Sequence, residues 1–166
     1  MTTELDAVKD PSGQAPARRR RRPRIAITEG PPSLLYTVKQ VELAIRYHLD
    51  DLLKPAGITA LQYTALTVLA RRDGLTLTEL ARNSFVTDQS MADLLRSLDR
   101  RSLISRRPDP EHGRRQLISL TGAGHELLAK YEQQVARLEE QLVSALSDDQ
   151  ANQLRSMLAS CRTALS

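Results

Sequence analysis

Between Leu75 and Thr121 the apolar period of this chain changes once, and that change constrains the fold more than any other feature. Thr76 with Glu79 makes a capping box, in which a hydroxyl and a carboxylate three residues apart satisfy the first free N–H groups of a helix. It opens a short helix that ends near Asn83. Thr87 or Asp88 caps another, running to about Arg101, with Met91, Leu94, Leu95 and Leu98 on one side. Two short helices only a few residues apart predict a helix-turn-helix. The period then becomes that of strands. "SLISRR" and "RQLISLT" alternate Leu or Ile with Ser, and Pro108-Asp109-Pro110 lies between them. Such runs predict a two-stranded hairpin with a loop of moderate length. A hairpin directly after a helix-turn-helix is a winged helix.

Helical patterns flank this unit. Leu34, Leu35, Val38, Val41, Ile45, Leu49 and Leu52 recur at helical spacing after Ser33, which can cap them, and Pro55 and Gly57 end the run. Thr59 with Gln62 boxes a second helix, Ala60 to about Arg72, closed by Asp73-Gly74. After the hairpin, Leu128, Tyr131, Val135, Leu138, Leu142 and Ala145 step by three and four along a helix from about Ala123 to Ala145, the rhythm of a coiled-coil seam. Ser147 with Gln150 boxes a last helix that carries Leu154, Leu158, Cys161 and Leu165 in the same rhythm. The expected fold is mainly α, an α+β winged helix with six helices and a two-stranded β-wing. The last helices either fold back on their own domain or pair with those of a second chain; the regular seam favours a homodimer.

Trp is absent and Phe85 is the only Phe, so the core must be built from Leu, Ile, Val and Ala. Cys161 is the only cysteine, which excludes an intrachain disulfide and suits a reducing, cytoplasmic setting. No run approaches the ~20 apolar residues of a membrane span. The early arginines are not followed by the apolar segment that a secretory signal needs.

Net charge is +4, and its distribution says more than its size. Residues 1–31 hold seven Lys/Arg against four Asp/Glu, residues 96–115 hold seven against three, and the remainder is slightly acidic. The first of these reads as a disordered arm around "RRRRRPR" (Arg18–Arg24). A localised basic surface on a near-neutral body is the footprint of a nucleic-acid binder, and also of an ordinary solvated face. By helical angle, Gln89, Asp93, Arg96 and Arg100 oppose the apolar face of the fourth helix, with Thr87, Asp88 and Ser90 at its start. Gln can pair bidentately with adenine and Arg with guanine in a major groove. Asp93 can accept from a cytosine amino group or orient Arg96 or Arg100. Arg106 and Arg107, expected at the hairpin base, and Arg114 and Arg115, at its tip, can reach phosphates or the minor groove. The arm can add phosphate contacts or act as a solubilising tail.

The stretch "LTLTELARNSFVTDQSMADLLRSLDRRSLISRRPDPEHGRRQLISLTGAGHELL", preceded by "GITALQYTALTVLA" and followed by "ALSDDQANQLRSMLASC", resembles the MarR family of bacterial transcriptional regulators. The likeness covers about residues 33–165 and is most specific in the wing, where Pro-Asp-Pro and an arginine precede Leu120, Thr121 and Gly124. Three positions depart from the family's pattern. His112 stands where Asp is usual, Ala92-Asp93 where Thr-Arg is frequent, and Ser102 where Gly follows the recognition helix. The resemblance implies a winged-helix domain over 32–166, dimerising through 33–54 and 123–165 and binding DNA through 59–121. It makes Arg114 the wing arginine. Leu34, Leu35, Val38, Leu138, Leu142, Leu154, Leu158, Cys161 and Leu165 are the expected dimer contacts.

The implied function is a sequence-specific, ligand-responsive repressor that binds a pseudo-palindromic operator in double-stranded DNA as a homodimer. Effectors of the family bind between the dimer helices and the winged lobe. There Tyr47, His48 and Tyr63 could meet a small aromatic or anionic ligand, or serve only as core and interface residues. Cys161 reads as a small apolar seam residue or a redox sensor. His48, His112 and His125 have no metal-ligand spacing, and no Gly-x-Ser-x-Gly, Walker loop or HExxH occurs, so neither a metal, a cofactor nor catalysis is expected. Two other functions fit parts of the sequence. One is a winged-helix protein-interaction module, which Ala92-Asp93 supports. The other is a non-specific nucleic-acid-binding protein that works through the arm.

Overall fold

Three capping boxes and two further capped helices fix where the chain turns. The computed structural model describes residues 30–165, so the Arg18–Arg24 run lies outside the described residues. The order is α1 (Leu34–Leu53), a 3-10 turn (Lys54–Ala56), α2 (Ala60–Arg71), α3 (Leu77–Asn83), α4 (Asp88–Arg100), β1 (Ile104–Pro108), β2 (Gln116–Leu120), α5 (Gly122–Val143) and α6 (Asp148–Ala164). The boxes at Thr59–Gln62, Thr76–Glu79 and Ser147–Gln150 all close in both directions. Thr87 and Thr121 cap α4 and α5 by accepting from the Ser90 and Gly124 N–H groups. Each such cap contributes about 1 kcal/mol.

The core gathers one face of every element of the winged unit. Leu66 and Leu69 of α2, Leu80 of α3, and Met91, Leu95 and Leu98 of α4 are fully buried, with Ile104, Ile118 and Tyr131 around them. The strands pair antiparallel from Ile104↔Leu120 to Pro108↔Gln116. A third segment joins them: Leu75, between α2 and α3, exchanges backbone bonds with Ile118 at 3.2 and 2.8 Å. This bridge ties the wing to the helix-turn-helix. A single residue has no alternation, so nothing in the sequence announced it.

Two apolar patterns divide in a way that the sequence reading did not foresee. In α1 only the C-terminal end goes inward: Ile45, Leu49 and Leu52 are half-buried and Leu53 is buried, while Leu34, Val38 and Val41 stay exposed. In the α5 seam, Leu128 and Tyr131 pack on this chain's own core, Leu138 is half-buried and Leu142 is exposed. The first half of that seam is therefore occupied within the chain. Helix α6 is joined to α5 by an ion pair, Arg155 Nη2 to Glu139 Oε1 at 3.1 Å, and its Leu154, Met157 and Leu158 remain exposed, as does Leu165 beyond its end.

Recognition helix, wing and α5 meet at one corner. Helix α4 ends with Ser102 in the left-handed region at φ 55°, the conformation that glycine adopts without cost. The Leu103 N–H then donates back to Leu98 O at 3.0 Å, and the Ser102 N–H to Asp99 O at 2.8 Å. Thr121 closes the corner. Its hydroxyl donates to Ser102 O at 2.6 Å and accepts from the Gly124 N–H at 3.1 Å, and its own N–H donates to Leu103 O at 3.2 Å. Gly124 must be glycine, because a Cβ there would strike the Leu103 carbonyl oxygen. Gly124→Ala is expected to destabilise the fold by about 1–3 kcal/mol, the usual range for overpacking. Urea unfolding at fixed protein concentration should show a lower midpoint with an unchanged slope.

Candidate nucleic-acid interface

Helix α4 presents one polar face. Met91, Leu95 and Leu98 are fully buried, and Gln89, Asp93, Arg96 and Arg100 all emerge on the opposite, exposed side. The side chains of that face are organised before any partner arrives. Asp93 Oδ1 accepts from the Arg96 guanidinium and, at 3.5 Å, from Gln89 Nε2. Of the two roles expected for Asp93, the structure places it in the second, holding Arg96. Arg100 forms no ion pair among the described residues.

The start of α4 is held by residues that were expected to touch a partner. The Thr87 hydroxyl accepts from the Ser90 N–H at 3.2 Å and donates to Ser90 Oγ at 2.9 Å. Asp88 Oδ2 accepts from the Thr78 hydroxyl at 2.8 Å, which fixes α4 to α3. These three side chains remain exposed, yet their first job is to hold the motif.

Strand alternation separates the first arginine pair. Arg106 and Arg107 lie in mid-strand opposite Ile118 and Leu117, not at the hairpin base. Residues directly opposite share a face of the ladder, so Arg106 turns to the side of buried Ile118 and Arg107 to the other. Arg106 Nε meets Asp99 Oδ2 at 3.3 Å, pinning the wing to the end of α4. Arg114 and Arg115 stand at the exposed tip. The loop below them is closed by the Asp109 N–H donating to Arg115 O at 2.9 Å, and by the Arg115 N–H donating to His112 O at 2.7 Å. Asp109 Oδ1 also accepts from the Glu111 N–H at 3.0 Å. Arg107, Arg114 and Arg115 form no ion pair among the described residues.

Between wing and α3 lies a polar hollow of about 780 Å³, lined by Thr76, Glu79, Asp109, His112, Arg114 and Arg115 among others. The Glu79 carboxyl is held below its ordinary range, first by the Thr76 N–H and then by the Thr76 hydroxyl, at 2.9 and 2.8 Å. Burial opposes these bonds, and the charges of Arg72 and then Arg115, each a smaller effect, lower it further. Glu79 therefore stays ionised beside the wing arginines and stops them from making this hollow uniformly positive.

Arg101 was not singled out from the sequence. Its guanidinium donates to the carbonyl oxygens of Ala56 and Gly57, joining the end of α4 to the turn after α1. The partners are more than forty residues apart, so no local pattern could reveal the tie. The three ligand candidates lie on two helices, Tyr47 and His48 on α1 and Tyr63 on α2. Tyr47 and His48 are exposed neighbours whose rings meet edge-on at 5.5 Å. Tyr63 is half-buried on α2, and burial followed by the charge of Glu132 raises its hydroxyl pKa. None of the three lines the apolar cleft of about 620 Å³ that Leu34, Val38, Val41, Leu142, Leu154 and Leu158 help to form.

Among the described residues no group of three His, Cys, Asp or Glu could hold a metal ion, and no helix is long and apolar enough to cross a membrane. The arrangement suits a polyanion. Asp93→Asn removes the carboxylate that holds Arg96 on the recognition face. Titration of an unrelated duplex across salt concentrations should then show tighter binding and a slope in log K against log salt steeper by about 0.9. An unchanged slope would count against Asp93 as the residue that restrains Arg96.

Known proteins share both fold and sequence with this chain. The sequence profile of the MarR family matches residues 56–115. An HTH-type transcriptional repressor of Mycobacterium tuberculosis is 28% identical over 123 residues, which is 74% of this chain and 88% of the repressor. Among solved structures, the S. aureus MepR–DNA complex superposes with a TM-score of 0.71 at 28% identity, covering 81% of this chain and 99% of MepR. The repressor CouR, bound to a 23-mer DNA duplex, gives the same TM-score and identity over 78% of this chain and 92% of its own. The chain described here thus matches the MarR family's profile over residues 56–115 and shares its winged-helix fold with MepR and CouR.

Proposed function

We propose that this protein is a sequence-specific DNA-binding transcriptional regulator, acting as a homodimeric repressor. One observation carries the reading. The exposed face of α4 displays Gln89, Asp93, Arg96 and Arg100 as one set, and beside it stands a wing with three arginines that form no ion pair among the described residues. MepR and CouR, built on the same fold, are seen with DNA bound. In this reading α4 enters a major groove, where Gln89 and Arg96 address base edges. Arg107, Arg114 and Arg115 neutralise flanking phosphates, and Arg106 keeps the wing in register with the helix. Such contacts release counterions, so binding weakens steeply with salt. The protein would work in the cytoplasm, where its DNA lies.

The dimer belongs to the same proposal. Leu34, Leu35, Val38 and Val41 of α1 and Leu142, Leu154 and Leu158 near the chain's end are exposed in one chain, too much apolar surface to leave in water. Cys161 and Leu165 continue that surface along the α6 direction. A second copy seated there would bury it and set two α4 helices about one helical turn of DNA apart. A small aromatic or anionic effector that prefers one separation of the two lobes would shift the population toward or away from the DNA-bound form. Tyr47 with His48 on α1 and Tyr63 on α2 remain its proposed contacts. The double substitution Leu154→Asp, Leu158→Asp is expected to give a monomer by sedimentation while circular dichroism keeps the helical signal.

DNA from upstream of the protein's own gene is the first fragment to test, with competitor DNA in excess. A complex that survives competitor is expected. Gln89→Ala and Arg114→Ala should each weaken it by roughly 10-fold or more, the worth of about 1–3 kcal/mol for a good base or phosphate contact. Deleting residues 1–29 should only reduce it. Binding abolished by that deletion, with no effect of Gln89→Ala, would instead assign the affinity to a non-specific arm.

A further inference from the structure

The turn between α3 and α4 breaks two rules of local stability at once. Helix α3 ends in a Schellman motif: the Phe85 N–H donates to Arg82 O at 3.3 Å and the Val86 N–H to Ala81 O at 3.1 Å. That motif needs a left-handed residue at its centre, a place that glycine fills by default. Here the residue is Phe85, at φ 56°, and a bulky side chain in that conformation is an outlier. Just before it, the Ser84 hydroxyl is buried and finds no hydrogen-bond partner among the described residues. Buried orphans of this kind call for a reason.

The Phe85 ring does not repair either defect, since it is 79% exposed. Every other exposed large apolar side chain among the described residues lies on α1 or between Leu142 and Leu165. Phe85 stands apart from that surface, two residues before the cap of α4. Two residues of chain span at most about 7 Å, so the ring sits beside the end of α4 that carries Thr87 and Gln89. Strain kept where the fold gains nothing from it points to function.

We propose that Phe85 is a specificity-determining residue of the DNA interface, its ring packing on the C5-methyl group of a thymine in the major groove beside the base addressed by Gln89. The inference rests on the DNA-binding reading above. Apolar side chains recognise thymine through that methyl, the one feature of the base pair that offers no hydrogen bond. An aromatic ring has only two side-chain torsions to fix, so docking it costs little conformational freedom.

The test uses the full chain, an operator fragment it binds, and Phe85→Gly. Glycine adopts the left-handed turn freely, so Phe85→Gly should melt no lower than the parent protein. Its operator affinity should nonetheless fall by about 10-fold, with affinity for unrelated DNA unchanged, in line with the burial of part of one aromatic ring. Operators with single thymines replaced by uracil lose only the methyl. One such position in each half-site should cost the parent protein about fourfold, the worth of one buried methyl, and cost Phe85→Gly nothing. Equal operator affinity for the two proteins would overturn the proposal. So would an equal loss on operator and unrelated DNA, which would put the ring on the sugar-phosphate backbone. Failure of the parent protein itself to prefer any operator would overturn the DNA-binding reading, and is distinguishable because no variant enters it.

Discussion

The close approach of α5 to the end of the recognition helix governs the geometry of the whole winged unit. Gly124 lies against the Leu103 carbonyl with no room for a Cβ, and Thr121 binds both Ser102 and Leu103. Three elements that differ in direction are thereby fixed within a few residues of one another. Helix α4 cannot rotate without carrying the start of β1, and β1 cannot lift without breaking the cap of α5. The Arg106–Asp99 pair and the Leu75–Ile118 bridge extend this rigid body to the rest of the wing. A protein that reads DNA with a helix and a wing together needs their spacing fixed before binding, since ordering them on contact would cost affinity.

A second tie acts over a longer range. Arg101 joins the C-terminal end of α4 to the carbonyls of Ala56 and Gly57, directly after α1. Helix α1 carries much of the exposed apolar surface proposed as the dimer face. In the proposed dimer, a shift of α1 would reach the C-terminal end of the recognition helix through one guanidinium and a short turn. Gly57, at φ 64°, sits under Arg101, so the turn is shaped to receive that side chain. Under the proposed dimer, its geometry and the spacing of the two α4 helices would be one variable.

The elements were readable in the sequence because their signals are local. Capping boxes sit three residues apart, and helix and strand periods differ by nearly a factor of two, so Thr76–Glu79 and the Ser-Leu-Ile-Ser runs mark their own boundaries. The polar face of α4 followed from the same periodicity, and all four of its predicted residues emerge together. What stayed hidden depends on partners far along the chain. The Arg101 tie, the Leu75 bridge and the division of the α5 seam at Tyr131 each need a surface supplied by another element. The Arg106–Arg107 pair was open to a better reading, since strand alternation alone sends adjacent residues to opposite faces. Tyr47, His48 and Tyr63 were grouped by analogy to a ligand site, and none of them lines the apolar cleft beside α1.

The central claim is that one rigid helix-and-wing unit, used twice, reads a particular DNA sequence. The most direct measurement exposes the full chain to a pool of random duplex DNA, recovers what it binds over several rounds, and sequences the survivors. The account expects a pseudo-palindrome whose half-sites lie about one helical turn apart. Survivors no more alike than the starting pool, or a single unpaired half-site, would contradict it.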